Sequence, residues 1–183
     1  CHDGVTALDS YGGATGSIVM TDLGLVGIED MELYILDVSK IRLEHKEEET
    51  AKNWLDILQT YIEQRVKVNK FDLVAIDSLA GLYSLSHMTN PRRELFHFFG
   101  FLKSLPATTF LVSEISHGSD RHGMHDEDFL ADGILLLKNF EAGISDVQLR
   151  IRCVKMRRAK HEKGYYRLLH AEKGFQVTRV ISE

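Results

Sequence analysis

The sequence predicts an α/β fold, a mainly parallel sheet flanked by helices that ends in antiparallel β-hairpins. Three observations carry that expectation. Amphipathic helical runs alternate with short, nearly continuous apolar runs through the middle of the chain. Those apolar runs have the length and composition of parallel strands buried on both faces. The C-terminal part changes to strand-like runs punctuated by glycine.

Taken in order, "GGATGSIVM" (Gly12 to Met20) reads as a glycine-rich turn entering a short apolar strand. From Glu47 to about Val66 the residues Ala51, Trp54, Leu55, Leu58, Tyr61 and Ile62 recur at three- and four-residue spacing. Glu47, Glu48 and Glu49 stand where a helix N-terminus favours negative charge, so an amphipathic helix is expected. "FDLVAID" (Phe71 to Asp77) reads as a buried parallel strand. Asn90 and Pro91 suit an N-cap and first helical residue, opening a helix with Leu95, Phe96, Phe99 and Leu102 on its apolar stripe. "TTFLVSE" (Thr108 to Glu114) is a second buried strand. Strand, helix and strand in succession imply a right-handed parallel unit. "GILLLKNF", "DVQLRIRCVKM", "GYYRLLH" and "GFQVTRV" follow, separated by turn signals at Gly143, Gly164 and Gly174, with "AEKGF" a short hairpin connection. This antiparallel part is expected on the edge of the parallel sheet.

A length of 183 residues, 44% of them hydrophobic, is enough for a substantial core, and a single domain over residues 1–183 is expected. The net charge of −5 excludes whole-chain attraction to nucleic acid or an anionic membrane. DNA binding would need a local basic patch, and the net charge does not support it. Two cysteines far apart, Cys1 and Cys153, suit a reduced, cytoplasmic protein. No apolar run approaches the ~20 residues that span a bilayer, and no signal peptide is visible. The chain opens on Cys1 rather than methionine, so its natural start is expected upstream.

Asp77 closes an apolar strand, and open α/β sheets bind ligands at the carboxyl ends of their strands. A carboxylate there can hold Mg²⁺ on a nucleotide through water, or it can simply cap a turn. Lys155 and Arg157 alternate with Met156 along a strand and so point to one face, as a solvated basic edge or as a charged finger. Ser113 and Glu114 end the second strand, as loop caps or as polar groups beside a ligand. The loop "SHGSDRHGMHDED" gathers His117, His122 and His125 with Asp120, Asp126 and Asp128. Imidazole and carboxylate could bind a transition metal, though the spacing matches no structural zinc pattern. A metal-dependent hydrolase built on this loop is the last-ranked reading.

The ordered motifs resemble a known family. "GVTALDSYGGATGSIV" resembles the opening of the KaiC-like and RadA-like branch of the RecA-superfamily ATPases. "FDLVAIDSLAGLY" resembles its Walker B strand followed by serine, and "FLVSE" its next core strand. "DEDFLADGILLLK" is similar to its E-x-F-x-x-DG segment, and "RCVKMRRAKHEKGYYRLLHAEKGFQV" to its terminal K-M-R hairpin. The resemblance covers nearly the whole chain in the family's order.

That resemblance implies a RecA-like fold, ATP and Mg²⁺ as cofactors, and assembly into a ring, possibly a hexamer, or a filament. It assigns Asp77, with Ser78 after it, to the Walker B site and its metal. Ser113 and Glu114 fall where RecA-like proteins sense the nucleotide. Lys155 and Arg157 match cations that reach the γ-phosphate bound by the neighbouring subunit and complete catalysis there. Arg158 departs from the pattern, standing where glycine is usual. The histidine-rich loop matches the segment that faces the channel of RecA-like rings and touches DNA in recombinases; Arg121 with three histidines is a thin basic complement for it. The family's G-x-x-x-x-G-K-[ST] loop is absent, since no Gly-Lys-Ser/Thr occurs in the sequence. A strand, P-loop, helix and second strand need roughly 30 residues. A missing segment near Met20, with a chain break there, is expected; a degenerate homologue is the alternative. The implied activity is a slow Mg-dependent ATPase acting with a protein partner, or else a nucleotide-binding assembly or regulatory module with little hydrolysis.

Overall fold

A computed structural model describes residues 16–19, 32–36, 54–86, 88–115, 121–143, 145–171 and 174–180. The chain divides into two compact units, one comprising Cys1–Asp37 with Asp132–Glu183, the other Val38–Ala131. The expected break near Met20 lies outside the described residues, as do Glu47 to Glu49, His117 and Asp120.

Within Val38–Ala131 the order is α1 (Trp54–Asn69), β3 (Leu73–Ile76), α2 (Leu79–Leu85), α3 (Pro91–Ser104) and β4 (Thr108–Leu111), then a 3-10 turn at Glu127–Phe129. β3 and β4 pair in parallel, with Leu73 opposite Thr108 and Ile76 opposite Leu111. α1 buries Trp54, Leu55, Ile57, Leu58, Ile62 and Val66, the spacing expected of one helical stripe. Lys70 closes it with φ 56°, its N–H bonded to the Val66 carbonyl at 2.9 Å, in the left-handed position usual after a helix.

α3 starts as its sequence dictates. The Asn90 side chain accepts from the Arg93 N–H at 3.2 Å, the Glu94 carboxylate accepts from the Asn90 N–H at 2.9 Å, and Pro91 needs no partner. Its buried stripe is Leu95, Phe98, Phe99 and Leu102, whereas Phe96 is 62% exposed. The i, i+3, i+4, i+7 set runs through Phe98; Phe96, one residue after Leu95, sits about 100° round the helix from it.

β3 and β4 correct a second expectation. Neither is buried on both faces: residues alternate along each, and Leu73, Phe110 and Val112 are about half exposed on one side. The two strands form a sheet by themselves among the described residues. One face of the pair is therefore about half exposed.

In the other unit, β1 (Gly16–Val19) pairs antiparallel with β2 (Glu32–Ile35). A parallel crossover takes a dozen or more residues, usually a helix, and an antiparallel return needs far fewer. β5 (Gly133–Ala142), β6 (Asp146–Met156), β7 (Tyr166–Ala171) and β8 (Gly174–Arg179) form an antiparallel meander in that order. Gly143 and Gly174 take φ 71° and 101°, which explains glycine at two of the predicted turns. A register shift beside Ile134 sets Ile134 opposite Lys155 and Leu135 opposite Cys153, a bulge that re-aims the end of β6. The molecule is thus α/β, with a parallel pair among helices and C-terminal antiparallel strands. No helix among the described residues is long and apolar enough to cross a membrane.

Candidate functional site

β3 delivers Asp77 at its carboxyl end. The ladder continues past both strands, the Val112 N–H donating to the Ile76 carbonyl at 3.0 Å and the Leu79 N–H to the Val112 carbonyl at 2.8 Å. Val112 therefore stands opposite Asp77 and Ser78, one residue against two. Ser113 follows it, half-buried, and Glu114 is exposed. The Ser78 hydroxyl oxygen accepts from the Gly81 N–H at 3.3 Å and caps α2. The cap role that a strand-end aspartate often fills thus belongs to Ser78. Asp77 is exposed, and no described residue hydrogen-bonds or ion-pairs with its carboxylate. Asp77, Ser78, Ser113 and Glu114 meet at one end of the β3–β4 pair, as their sequence positions suggested.

Lys155 and Arg157 belong to the other unit. β6 ends at Met156, so strand alternation covers Lys155 and Met156, while Arg157 opens the turn that follows. The Arg157 N–H donates to the Asp132 carbonyl at 2.8 Å, and its guanidinium meets the Asp132 carboxylate at 3.2 Å. Arg158 has φ 61°. The turn demands a left-handed residue, the conformation glycine adopts freely. Arginine at this position keeps the hairpin's course at the cost of local strain.

The sequence marked Glu127 only as the glutamate of the E-x-F-x-x-DG segment, with no role of its own. Glu127 is 3% exposed, deep in the Val38–Ala131 unit. One carboxylate oxygen accepts from the Tyr83 hydroxyl at 2.7 Å and the Met124 N–H at 3.0 Å; the other accepts from the His125 N–H at 2.6 Å. Burial pushes its pKa up, but the Tyr83 hydroxyl and the backbone N–H donors outweigh burial and hold it below the usual carboxylate range. The same burial and the adjacent carboxylate push Tyr83 well above the tyrosine range, so it stays a donor. A Cβ on Gly123 would lie 2.6 Å from the Glu127 carboxyl carbon, which accounts for glycine there. Nothing in the sequence pairs Glu127 with Tyr83, 44 residues away.

The described residues of the histidine-rich loop make other contacts. His125 packs edge-on against the Tyr83 ring at 5.0 Å, and Asp126 faces Arg92 at 3.8 Å. Among the described residues no three His, Cys, Asp or Glu side chains gather as metal ligands. An open groove of about 460 Å³, lined by Asn90, Arg92, Phe96, His125 and Phe129 among others, lies beside this loop. None of Asp77, Ser78, Ser113 or Glu114 lines it.

Comparison with known proteins adds to this geometry. The family model described as "ATPase: KaiC" matches residues 21–180. Among solved structures the chain is similar to a KaiC-like protein from the hyperthermophilic archaeon Pyrococcus horikoshii OT3, with 24% identity and a TM-score of 0.58. The match covers 68% of this chain and 57% of that one, so the chain spans little more than half the length of that relative. No curated protein matches.

Proposed function

The chain belongs to the KaiC family of ATPases, within the nucleotide-binding RecA superfamily, and from that premise we propose that it binds ATP with Mg²⁺ at the carboxyl end of β3 and hydrolyses it slowly as an oligomer. The observation that carries the reading is Asp77: exposed, at the end of a parallel strand, without a partner among the described residues, and relieved of capping by Ser78. Such a carboxylate fits a cation held mainly by the nucleotide and by water, as Mg²⁺ prefers. Asp77 would hold the ion, which when bound neutralises charge on the β- and γ-phosphate oxygens. Ser113 and Glu114, on the neighbouring strand, would report the nucleotide's state.

In this reading Lys155 and Arg157 act on the site of a neighbouring subunit in a ring, possibly a hexamer, or a filament, and a protein partner reads the assembly. Both units form one ATPase domain in the cytoplasm, a reading supported by a family match that runs through both. The phosphate cradle would come from the segment expected near Met20. Sequencing the gene across Met20 and calorimetry with MgATP test the proposal together. A P-loop and an acidic pair there, with Asp77→Asn abolishing Mg-dependent binding but not folding, is the expected result. Unchanged affinity in Asp77→Asn would return Asp77 to a structural role. The second reading, a nucleotide-binding assembly or regulatory module with little or no hydrolysis, rests on the family's catalytic glutamate, which is not seen in the sequence. An intact P-loop without the catalytic glutamate would select it.

A further inference from the structure

The β5–β8 sheet carries a row of like charges. Lys138 on β5 lies directly opposite Arg150 on β6, and Arg150 directly opposite Arg167 on β7. Side chains opposite one another share a face, and neighbouring strands lie ~4.8 Å apart. Arg152, two residues along β6 from Arg150, joins the same face. No carboxylate among the described residues pairs with any of the four. Asp146, further along that strand, reaches only the Gln148 amide at 3.4 Å, while the Gln148 carbonyl accepts from Arg150 at 3.1 Å. Like charges directly opposite destabilise a sheet, so this row works against the fold that contains it.

The guanidiniums are also held in place. Arg150 lies over the Phe140 ring at 4.7 Å and Arg152 over Tyr165 at 5.2 Å, and the two rings meet edge to face at 4.8 Å. Lys138 stands 5.7 Å from the same Phe140 ring. These ring contacts hold Arg150 and Arg152, both partly exposed, on that face. The Nε atoms of Arg150 and Arg152 are buried with no hydrogen-bond partner. A crowded, oriented and unneutralised set of cations is arranged for an anionic partner.

We infer that this face docks the acidic side of a helix from a partner protein, laid across the strands. Carboxylates three and four residues apart on a helix are about 5–6 Å from one another, which matches the ~4.8 Å spacing of the cationic row. A nucleic-acid backbone offers the same sign of charge. The chain's net charge of −5, however, repels a polyanion longer than the patch.

Fluorescence anisotropy on the whole chain tests this with three labelled probes: an alanine-based peptide with glutamates phased on one helical face, a peptide of identical composition with them dispersed, and a single-stranded oligonucleotide of equal charge. The phased peptide is expected to bind tightest and to weaken as salt rises. Arg167→Gln and Lys138→Gln should each reduce its affinity, the arginine variant roughly ten-fold, while Lys160→Gln leaves it unchanged. Circular dichroism confirms folding, and exposed Lys138 keeps the test open should Arg167→Gln misfold. Equal binding of the two peptides, tighter binding of the oligonucleotide, or indifference to both row variants would overturn the inference.

Discussion

Asp126 and Arg158 hold nearly the same left-handed backbone, φ 60° and φ 61°, in very different settings. Asp126 precedes Glu127, which is 3% exposed and accepts three hydrogen bonds from donors around it. Arg158 follows Arg157, whose ion pair with Asp132 leaves the two side chains 48% and 61% exposed. Buried, fully used hydrogen bonds over-determine the first turn, and aspartate is itself tolerant of that region. An exposed pair worth about 0–1 kcal/mol anchors the second. The first turn is explained by what holds it together. The second keeps a strained arginine beside the cations proposed to reach another subunit, as expected of a turn retained for what it presents.

The largest effect should follow from removing the anchor of the first turn. Glu127→Ala leaves the Tyr83 hydroxyl and two backbone N–H groups without their acceptor, and a loss of about 3 kcal/mol is expected in chemical denaturation. Arg157→Ala, which removes the exposed pair with Asp132, should cost under about 1 kcal/mol. Equal losses would break the contrast between the two turns.

That contrast also shows where sequence is informative. The parallel strands, the Asn90–Pro91 helix start, the four C-terminal strands and the placement of Asp77 were all legible, because each rests on local period, turn chemistry or strand-end position. Phe98 was passed over in favour of Phe96 because four closely spaced phenylalanines, Phe96, Phe98, Phe99 and Phe101, can be phased in more than one way. Glu127 was legible only as the glutamate of the E-x-F-x-x-DG segment; its role was not, because it lies in Tyr83, distant in sequence, and in a burial that an acidic run such as "DED" does not announce. The left-handed Arg158 was legible only as a departure from a glycine pattern; the backbone angle supplies its physical reason.

Gly123→Ala should come next in size. Its Cβ would press on a carboxylate that three hydrogen bonds prevent from moving, and a loss of about 2 kcal/mol is expected. In a Glu127→Ala background the penalty should largely vanish, because the obstructing group is gone; a double-mutant cycle checks this. An unchanged penalty would mean that Gly123 is needed for its backbone and not for the space.

A smaller signature belongs to pH. The folded-state pKa of Glu127 is depressed, so the stability it contributes is present above the unfolded carboxylate value of about 4.3 and is lost as pH falls through the folded value. Below about pH 4 the parent should therefore lose stability more steeply than Glu127→Gln, which has no proton to gain there. Parallel acid limbs for the two proteins would count against the hydrogen-bonded carboxylate.

Arg158→Gly should have the smallest effect and the opposite sign. Glycine removes the cost of a Cβ at φ 61°, about 1 kcal/mol, but it also gives the unfolded chain more freedom, which offsets roughly half of that gain. A net stabilisation of about 0.5 kcal/mol is expected, read as a small rise in Tm. The same change at Asp126 should yield less, since aspartate already tolerates the conformation and its turn is fixed by Glu127. If Arg158→Gly is instead destabilising, the side chain must be making interactions strong enough to exceed the backbone strain. The second turn would then be held by its own contacts just as the first is, and its strain would no longer point to a subunit beyond its own.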